Sequence, residues 1–218
     1  MPHEPIYIHD LEACQHLRTG SVPFIAKAGI PSAHGAFMVY GFLEQTTGKE
    51  HMAIVSGDID SRERIPVRIH SECLTGEVLG SLKCDCRSQL ESALAYIGKH
   101  GGMVLYLRQE GRGIGLLNKL KAYSLQEQGY DTVEANHLLG FADDLRNYAC
   151  AVEMLRFFGL RKVQLLTNNP RKVMALEEAG FDVQREAHQQ ASNPFNLRYL
   201  QTKAVKSGHL LTFQKKAQ

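Results

Sequence analysis

The chain has 218 residues and a formal net charge of +2, and 44% of its residues are hydrophobic. This length predicts one domain with short appendages at most, and it is enough to bury a core without metal or disulfide support. A charge so close to balance excludes polyanion binding by bulk charge, so we expect no nucleic-acid partner and only local basic sites.

The cysteines and the N-terminus indicate the compartment. An odd count of five cysteines, with no apolar signal region in MPHEPIYIHD, predicts reduced thiols and a cytoplasmic protein. No apolar run approaches the length of a membrane span, so we expect no membrane association. Cys14 and Cys150 have no ligand-type neighbours in the sequence and are predicted to be ordinary thiols.

The first half of the chain begins irregularly and then becomes strand-like. Prolines and glycines interrupt residues 1–30, which we predict to be an N-terminal arm of unknown role or a short helix around Leu11–Leu17. AFMVYGFLE and HMAIVSGDI flank the turn at Thr47-Gly48 and predict an antiparallel hairpin. PVRIH is a further short strand, and a helix follows at about residues 85–100.

The second half alternates between strands and helices. MVLYLR, KVQLLT and FDVQRE are predicted strands, with helices at about residues 144–158 and after Pro170. The polar segment YDTVEANHLLGFADD is predicted to be a loop, and residues 193–209 a helix laid on the surface. These elements predict a layered α/β/α fold with a mixed sheet and an antiparallel hairpin region on its N-terminal side.

Three cysteines lie in the stretch His70–Glu91, where Cys73 is followed after ten residues by Cys84 and Cys86. Zinc binds thiolates tetrahedrally, and a catalytic zinc keeps three protein ligands and an open fourth position for water. The alternative is three reduced, half-buried thiols, but their many charged neighbours argue against a purely apolar role. We therefore predict a three-cysteine zinc site, with His70 as a structural neighbour rather than a fourth ligand.

A glycine-rich turn, QEGRGIG, joins the strand MVLYLR to the next predicted helix. Backbone N–H groups at such a junction point at an anion, and Arg108, Arg112, Lys119 and Lys121 add positive charge. The glycine spacing matches neither a dinucleotide fingerprint nor a Walker A loop. A phosphate site and an ordinary turn both fit the residues alone.

Three blocks carry a longer resemblance: HSECLTGE with SLKCDCRSQL, then YLRQEGRGIGLLNKLKAYSLQEQGYDTVEANHLLGF, then LLTNNPRK. Over about Ile30–Leu211 the chain resembles GTP cyclohydrolase II, the enzyme that opens riboflavin biosynthesis. The resemblance implies an α/β homodimer with a catalytic domain at residues 31–211 and a C-terminal tail at 212–218. It also implies one Zn²⁺ per subunit, bound by the three cysteines, and Mg²⁺ with the triphosphate of GTP.

The implied reaction is hydrolysis of GTP to 2,5-diamino-6-(5-phosphoribosylamino)pyrimidin-4(3H)-one, formate and pyrophosphate. Tyr123 matches a tyrosine that assists hydrolysis at the zinc site. Asp144 and Arg146 match a pair proposed as proton acceptor and guanylyl-accepting nucleophile, since a guanidinium is otherwise always charged. From the residues alone, a core tyrosine and a first-turn helix acid with Asp143 as N-cap are the simpler interpretations.

The resemblance assigns contacts with GTP to residues along the whole domain, namely Arg68, Glu72, Gln89, Glu110, Arg112, Thr132, Thr167 and Lys172. Glu110 is the carboxylate expected to accept from guanine N1–H and the N2 amine. One departure from the family pattern is Arg87, which stands where glycine usually follows Cys-x-Cys and is expected to affect access to the zinc.

Two other functions also fit the sequence. A paralogue that opens the ring but keeps the formyl group is the first, and Tyr123 argues against it. A non-catalytic module that binds nucleotide with a structural zinc is the second. Nothing upstream is long enough for a fused dihydroxybutanone phosphate synthase half, so we expect a monofunctional form.

Overall fold

The computed structural model describes residues 20–213. The strands of this part are β1 (Phe24–Ser32), β2 (Gly35–Glu44), β3 (Lys49–Ser56), β4 (Ile65–Ser71), β5 (Gly102–Leu107), β6 (Lys162–Leu166) and β7 (Asp182–Glu186). They form one sheet in the order β1-β2-β3-β5-β4-β6-β7. Along this order, the pairs β1–β2, β2–β3 and β3–β5 are antiparallel, and the pairs β5–β4, β4–β6 and β6–β7 are parallel. The predicted mixed sheet and the β2–β3 hairpin are therefore confirmed.

Helices cover both faces of this sheet. They are α1 (Leu74–Glu77), α2 (Cys86–His100), α3 (Leu116–Glu127), α4 (Thr132–Leu138), α5 (Ala149–Phe157), α6 (Pro170–Glu178) and α7 (Leu197–Ser207). In the part of the chain from residue 20 to 213, no helix combines the length and apolarity needed to cross a bilayer.

Alternation along β5 divides the core between the two faces. Met103 and Leu105 belong to the larger core, which contains Leu155 of α5, whereas Val104 packs in a smaller core with Ile97 of α2. Successive side chains of a strand point to opposite faces, so a strand that is apolar throughout requires cover on both sides. The α/β/α layering is therefore confirmed.

The irregular arm predicted for residues 1–30 is wrong from Phe24 onward, because β1 occupies residues 24–32. This strand pairs only with β2 and forms an edge of the sheet. An edge strand tolerates Pro31 because one side of its backbone needs no ladder partner. The predicted boundary at residue 31 falls inside β1, and the helix predicted at Leu11–Leu17 lies outside the described residues, as does Cys14.

The loop predicted for YDTVEANHLLGFADD is wrong over Thr132–Leu138, which form α4. Asp131 begins this helix: its carboxylate accepts from the backbone N–H groups of Val133 and Glu134, and Glu134 accepts in return from the Asp131 N–H. This reciprocal capping satisfies backbone donors that a seven-residue helix would otherwise leave unpaired. The sequence D-T-V-E carried that signal.

Helix α5 begins at Ala149, later than the predicted start near residue 144. The alternative role of Asp144 as a first-turn acid capped by Asp143 is therefore wrong. Instead, the segment before Ala149 forms local contacts, in which the Asn147 side chain accepts from the Ala149 N–H and Asp144 bonds Arg146.

The parallel strands bring four loops to one edge of the sheet. After β4 the chain enters α2 on one face, and after β5 it reaches α5 on the other face. Neighbouring strands whose connections leave to opposite faces open a crevice at their carboxyl ends, where ligands of α/β proteins bind. The segments that follow Ser71, Leu107, Leu166 and Glu186 all meet at this edge.

Candidate active site

The three predicted metal ligands come together at the end of β4. Cys73, Cys84 and Cys86 are free thiols whose sulfur atoms all lie within 4.8 Å of one another, and the Sγ atoms of Cys73 and Cys84 are 3.7 Å apart. Thiolates on a tetrahedral zinc at 2.3 Å would be separated by about 3.8 Å. The sulfur spacing and the soft donor set therefore fit a zinc ion.

Gly76 provides the space for this sulfur cluster. A Cβ atom at residue 76 would lie 2.9 Å from Cys84 Sγ and 3.2 Å from Cys73 Sγ. Such distances are shorter than van der Waals contact, so a side chain here would displace a ligand. The glycine in HSECLTGE is thus a packing requirement of the thiol site.

A buried polar network holds the backbone of Cys73. Glu77 accepts from the Cys73 N–H at 3.0 Å, bonds His70 Nε2 at 2.8 Å and accepts from Tyr106 Oη at 2.5 Å. Because His70 directs Nε2 to Glu77 and lies outside the group of possible metal ligands, it has the structural role predicted for it. Glu77 was not predicted, because one of its partners, Tyr106, lies on β5 and only the fold brings the two side chains together.

Lys119 of α3 joins the sulfur cluster to the glycine-rich turn. Its Nζ lies 3.1 Å from Cys73 Sγ and 2.8 Å from Glu110 Oε1. Contacts with the other two thiols, together with the Lys119 charge, lower the pKa of Cys73. This favours the thiolate, which is the form that binds metal.

Glu110 has most of its acceptor capacity engaged inside the protein. Oε1 accepts from Lys119 and from the Gly111 N–H, and Oε2 accepts from the Leu74 N–H at 2.6 Å. Each carboxylate oxygen accepts about two bonds. In this conformation Glu110 lacks a free position on each oxygen with which to pair guanine N1–H and N2 together. Its observed contacts instead join the glycine-rich turn to α1.

One cavity contains nearly all the predicted site residues. Asp144 alone among them does not line it; those that do are Arg68, Glu72, Cys73, Cys84, Cys86, Gln89, Glu110, Arg112, Tyr123, Thr132, Arg146, Thr167 and Lys172. They come from β4 and the segments after β4, β5 and β6, from α2, α3, α4 and α6, and from the loops that contain Cys84 and Arg146. Arg87 is outside the cavity and pairs with Glu91 at 2.9 Å on the exposed face of α2, so it does not obstruct the sulfur cluster.

The cavity wall carries cations that no carboxylate neutralises. Arg68, Arg112 and Lys172 form no salt bridge within residues 20–213; Lys172 donates to the Ile69 carbonyl at 2.7 Å, and Arg68 to the Leu166 carbonyl at 2.9 Å. Arg68 Nε and Arg112 Nη2 are buried without a partner in the same part of the chain. Burial, followed by repulsion from Arg68 and Arg146, lowers the pKa of Lys172. Buried cations of this kind favour an anionic ligand.

Arg112 adopts the only left-handed backbone conformation of a non-glycine residue between residues 20 and 213, with φ of 61°. Together with Gly111 it forms a tight turn, and the Arg112 carbonyl accepts from the Leu145 N–H. Backbone strain at a non-glycine residue persists where surrounding contacts impose it, which is common at functional sites.

Asp144 lies behind Arg146 and holds it. Arg146 Nε and Nη2 donate to the two Asp144 oxygens at 2.8 and 2.7 Å. Burial opposes the charge of Arg146, but Tyr148 and Asp144 outweigh it and raise its pKa. Burial likewise disfavours the charged form of Asp144, but the bonds from Arg146 lower its pKa. Asp143, the other candidate, pairs with His137 instead.

Tyr123 projects from α3 beside the sulfur cluster. Its ring lies 5.0 Å from Lys83 Nζ and 5.7 Å from Lys119 Nζ. Burial raises the pKa of Tyr123 to about 12. Tyr123 is therefore a protonated hydrogen-bond donor at neutral pH, next to the predicted metal ligands and within the cavity.

Several lining residues were not predicted: three asparagines lie within segments that carry the family resemblance but were given no role there, and the others lie farther along the chain. They are Asn136, Asn168, Asn169, His188, Tyr199, Lys203 and His209. The Asn168-Asn169 pair follows β6 directly, so the sheet edge itself was the available signal. Nothing in the local pattern of α7 marks Tyr199 or Lys203 as part of a site.

A second group of metal-ligand types surrounds Cys150, contrary to the expectation that it has no such neighbours. Glu44, His51 and Cys150 bring ligand atoms within 4.8 Å of one another. However, the Arg108 N–H donates to His51 Nδ1, so the hydrogen of the neutral ring is on Nε2, which faces Glu44 at 3.6 Å. His51 therefore has no free lone pair for a metal in this group.

Comparison with known proteins relates the chain to one protein family. The family described as GTP cyclohydrolase II matches residues 24–188. A GTP cyclohydrolase-2 of Cronobacter sakazakii is 54% identical over 190 residues, which are 86% of this chain and 96% of that protein. One of Azotobacter vinelandii is 54% identical over 193 residues, which are 88% of this chain and 93% of that protein.

A longer relative aligns with only part of its own length. The riboflavin biosynthesis protein RibBA of Bacillus subtilis is 52% identical over 211 residues, which are 95% of this chain and 53% of that protein. The sulfur cluster, Tyr123 and the Asp144–Arg146 pair all fall within the residues that the family matches. The chain belongs to the GTP cyclohydrolase II family.

Proposed function

We propose that this chain hydrolyses GTP to 2,5-diamino-6-(5-phosphoribosylamino)pyrimidin-4(3H)-one, formate and pyrophosphate, the first step of riboflavin biosynthesis. The observation that carries the proposal is one cavity with a three-thiol cluster and a wall of unneutralised cations. This arrangement suits a ligand that presents a reacting carbon to a metal and a polyanion to basic side chains. The purine ring and triphosphate of GTP combine these features.

The sulfur cluster supports a zinc cofactor. Cys73, Cys84 and Cys86 would hold the ion, which when bound supplies Lewis-acid activation of water. Lys119 offsets thiolate charge, and Gly76 leaves room for the three sulfur atoms. We further propose that Mg²⁺ accompanies the triphosphate, because its four negative charges exceed what the wall offers.

The reaction consumes one water to open the imidazole ring at C8, another to release formate and a third to release pyrophosphate. Tyr123 keeps its phenolic proton at neutral pH, as any tyrosine does, and burial raises its pKa further. It can therefore donate a hydrogen bond to a purine nitrogen or carbonyl oxygen as negative charge develops there. A tyrosine beside the thiol cluster supports complete hydrolysis, rather than retention of the formyl group.

Arg146 is better suited to binding phosphate than to attacking it. A nucleophilic role would require Asp144 to remove a proton from the guanidinium. The raised pKa of Arg146 and the lowered pKa of Asp144 oppose this transfer. We therefore assign Arg146 to electrostatic stabilisation of the phosphates, oriented by its two bonds to Asp144.

A turnover assay tests the proposal. The protein is loaded with zinc and incubated with GTP and Mg²⁺, and formate and pyrophosphate are measured. Equal amounts of both are expected. Absence of both at full metal content would reject the proposed activity and leave a nucleotide-binding module with a structural zinc. If Cys84→Ser unfolded the protein, that structural alternative would gain support.

We also propose a homodimer. The segment around α1 exposes three apolar side chains, with Val78 and Leu79 more than 70% accessible and Leu82 at 56%. Exposed apolar patches of this kind are typical of interaction surfaces. Light scattering of the purified protein is expected to give twice the mass of the chain, and a monomeric mass at micromolar concentration would contradict the proposal.

A further inference from the structure

Helix α7 lies beyond the residues matched by the family, yet it forms one wall of the cavity. It was predicted to lie on the surface. Tyr199 and Lys203, one helical turn apart, both line the cavity, and Leu200 fixes the helix with 2% of its surface exposed. The same helix therefore has an anchoring residue and a polar face turned to the site.

Contacts on both sides fix the position of α7. Lys206 pairs with Asp131 at the start of α4. Beyond the helix, the Leu210 N–H donates to the Asn168 carbonyl at 2.8 Å, and Asn168 itself lines the cavity. These contacts attach the helix to two walls of the cavity.

Lys203 is buried but incompletely satisfied. Its side chain is 12% exposed, and its Nζ lies 3.4 Å from Asp85 Oδ1 and 4.3 Å from the centre of the Tyr199 ring. A charge-assisted hydrogen bond between ammonium and carboxylate is normally about 2.8 Å long. Asp85 is shared, because it also accepts from the Gln89 side chain. Lys203 therefore retains donor capacity for a ligand.

The surroundings of Lys203 select an anion. Arg112 also faces the Tyr199 ring, at 5.9 Å. Burial, and then the charges of Lys203 and Arg146, lower the pKa of His209 to about 3. These basic groups are thus close together around the end of α7, and a polyanion between them would relieve their repulsion.

We propose that Lys203 is a substrate-binding residue that donates from α7 to the polyphosphate of the nucleotide, with Tyr199 holding its ammonium group over the ring. This inference rests on the proposed function and extends the site past the residues that carry the family resemblance. An ammonium group is a compact charge with three donors, which suits binding to phosphate oxygens.

The test compares nucleotide binding by the zinc-loaded full chain and its Lys203→Met variant. The probes are guanosine 5′-(α,β-methylene)triphosphate and guanosine, which lacks the phosphates. Lys203→Met is expected to weaken binding of the triphosphate about tenfold or more and to change guanosine binding less than twofold. Gln201→Met is the matched control, because this exposed residue is on the same helix but outside the cavity, and the variant is expected to bind both probes normally.

Lys203→Met also leaves the Asp85 carboxylate without its cation. The double variant Lys203→Met/Asp85→Asn removes that unpaired charge and so separates its effect from loss of the phosphate contact. Persistent weak triphosphate binding by the double variant, with normal zinc content, supports the proposal. Recovery of wild-type affinity would overturn it, as would wild-type affinity in Lys203→Met itself. Failure of the unmodified protein to bind the triphosphate would reject the proposed function, a result distinct from either.

Discussion

Lys119 Nζ lies 3.1 Å from Cys73 Sγ, so a buried cation from α3 touches a predicted metal ligand at the end of β4. The same ammonium group bonds Glu110 at 2.8 Å. Burial opposes its charge, but Cys73 and Glu110 outweigh burial and raise the pKa of Lys119. Lys119 therefore stays charged and connects the metal site with the glycine-rich turn.

Lys119→Met is expected to weaken both the fold and metal binding. It leaves the buried Glu110 carboxylate without its cation, which should lower the free energy of unfolding by about 3 kcal/mol. It also removes the positive charge that lies beside the thiolates, so competition with a chelator should show weaker zinc binding. Lys121→Met, which alters an exposed lysine two residues on, is the control. Unchanged stability and zinc affinity in Lys119→Met would contradict this role.

Gly76→Ala is expected to damage the zinc site while leaving the sheet intact. The added methyl group would lie 2.9 Å from Cys84 Sγ, so that sulfur must move. We expect zinc affinity to fall by about 10- to 100-fold, the range for displaced ligand support. Gly29→Ala is a suitable control because its methyl group would meet no atom within 4 Å. Equal zinc affinities of the two variants would refute the packing requirement.

The sequence contained enough to locate the sulfur cluster but not its supporting contacts. Cys73, Cys84 and Cys86 lie within one stretch, and their residue type and spacing restrict the chemistry. Lys203, by contrast, reaches Asp85 across 118 positions of the chain, and such a contact follows only from how α7 packs. Periodicity alone also missed β1, because its edge position permits residues that interior strands exclude.

Arg146 is expected to act without forming a covalent guanylyl adduct. Its charged guanidinium, bonded to both oxygens of Asp144, offers no lone pair for attack on phosphorus. Rapid acid quench during turnover, followed by intact-mass spectrometry, should show only the unmodified chain. A mass increase equal to a guanylyl group that disappears in Arg146→Ala would show that the covalent route operates.

The stability of the protein is expected to fall in mild acid through His188. This ring is 8% exposed, bonds the Gln89 carbonyl at 3.0 Å, and has its pKa lowered to about 4, first by burial and then by Arg68. The unfolded chain takes up this proton near pH 6.5, whereas the folded protein takes it up only near pH 4. The contribution of the neutral His188 ring to the free energy of unfolding is therefore fully present above pH 6.5 and is lost as the pH falls from about 6.5 to 4.

Denaturant titrations at pH 7 and pH 5 check this effect. The contribution of His188 to the loss of unfolding free energy at pH 5 should be about 2 kcal/mol. His188→Gln is expected to reduce the difference between the two pH values, whereas His100→Gln, at an exposed position, should leave it unchanged. A pH dependence that is identical in all three proteins would exclude His188 as its source.

The central claim, hydrolysis of GTP at the three-cysteine site, is tested most directly by following the C8 carbon. Zinc-loaded protein is incubated with GTP carrying ¹³C at C8, and the products are observed by NMR together with a pyrophosphate assay. All of the label is expected in formate, with one pyrophosphate per formate, and none should be released by Cys84→Ser. Label retained in a formylated pyrimidine, or no turnover by fully loaded protein, would contradict the claim.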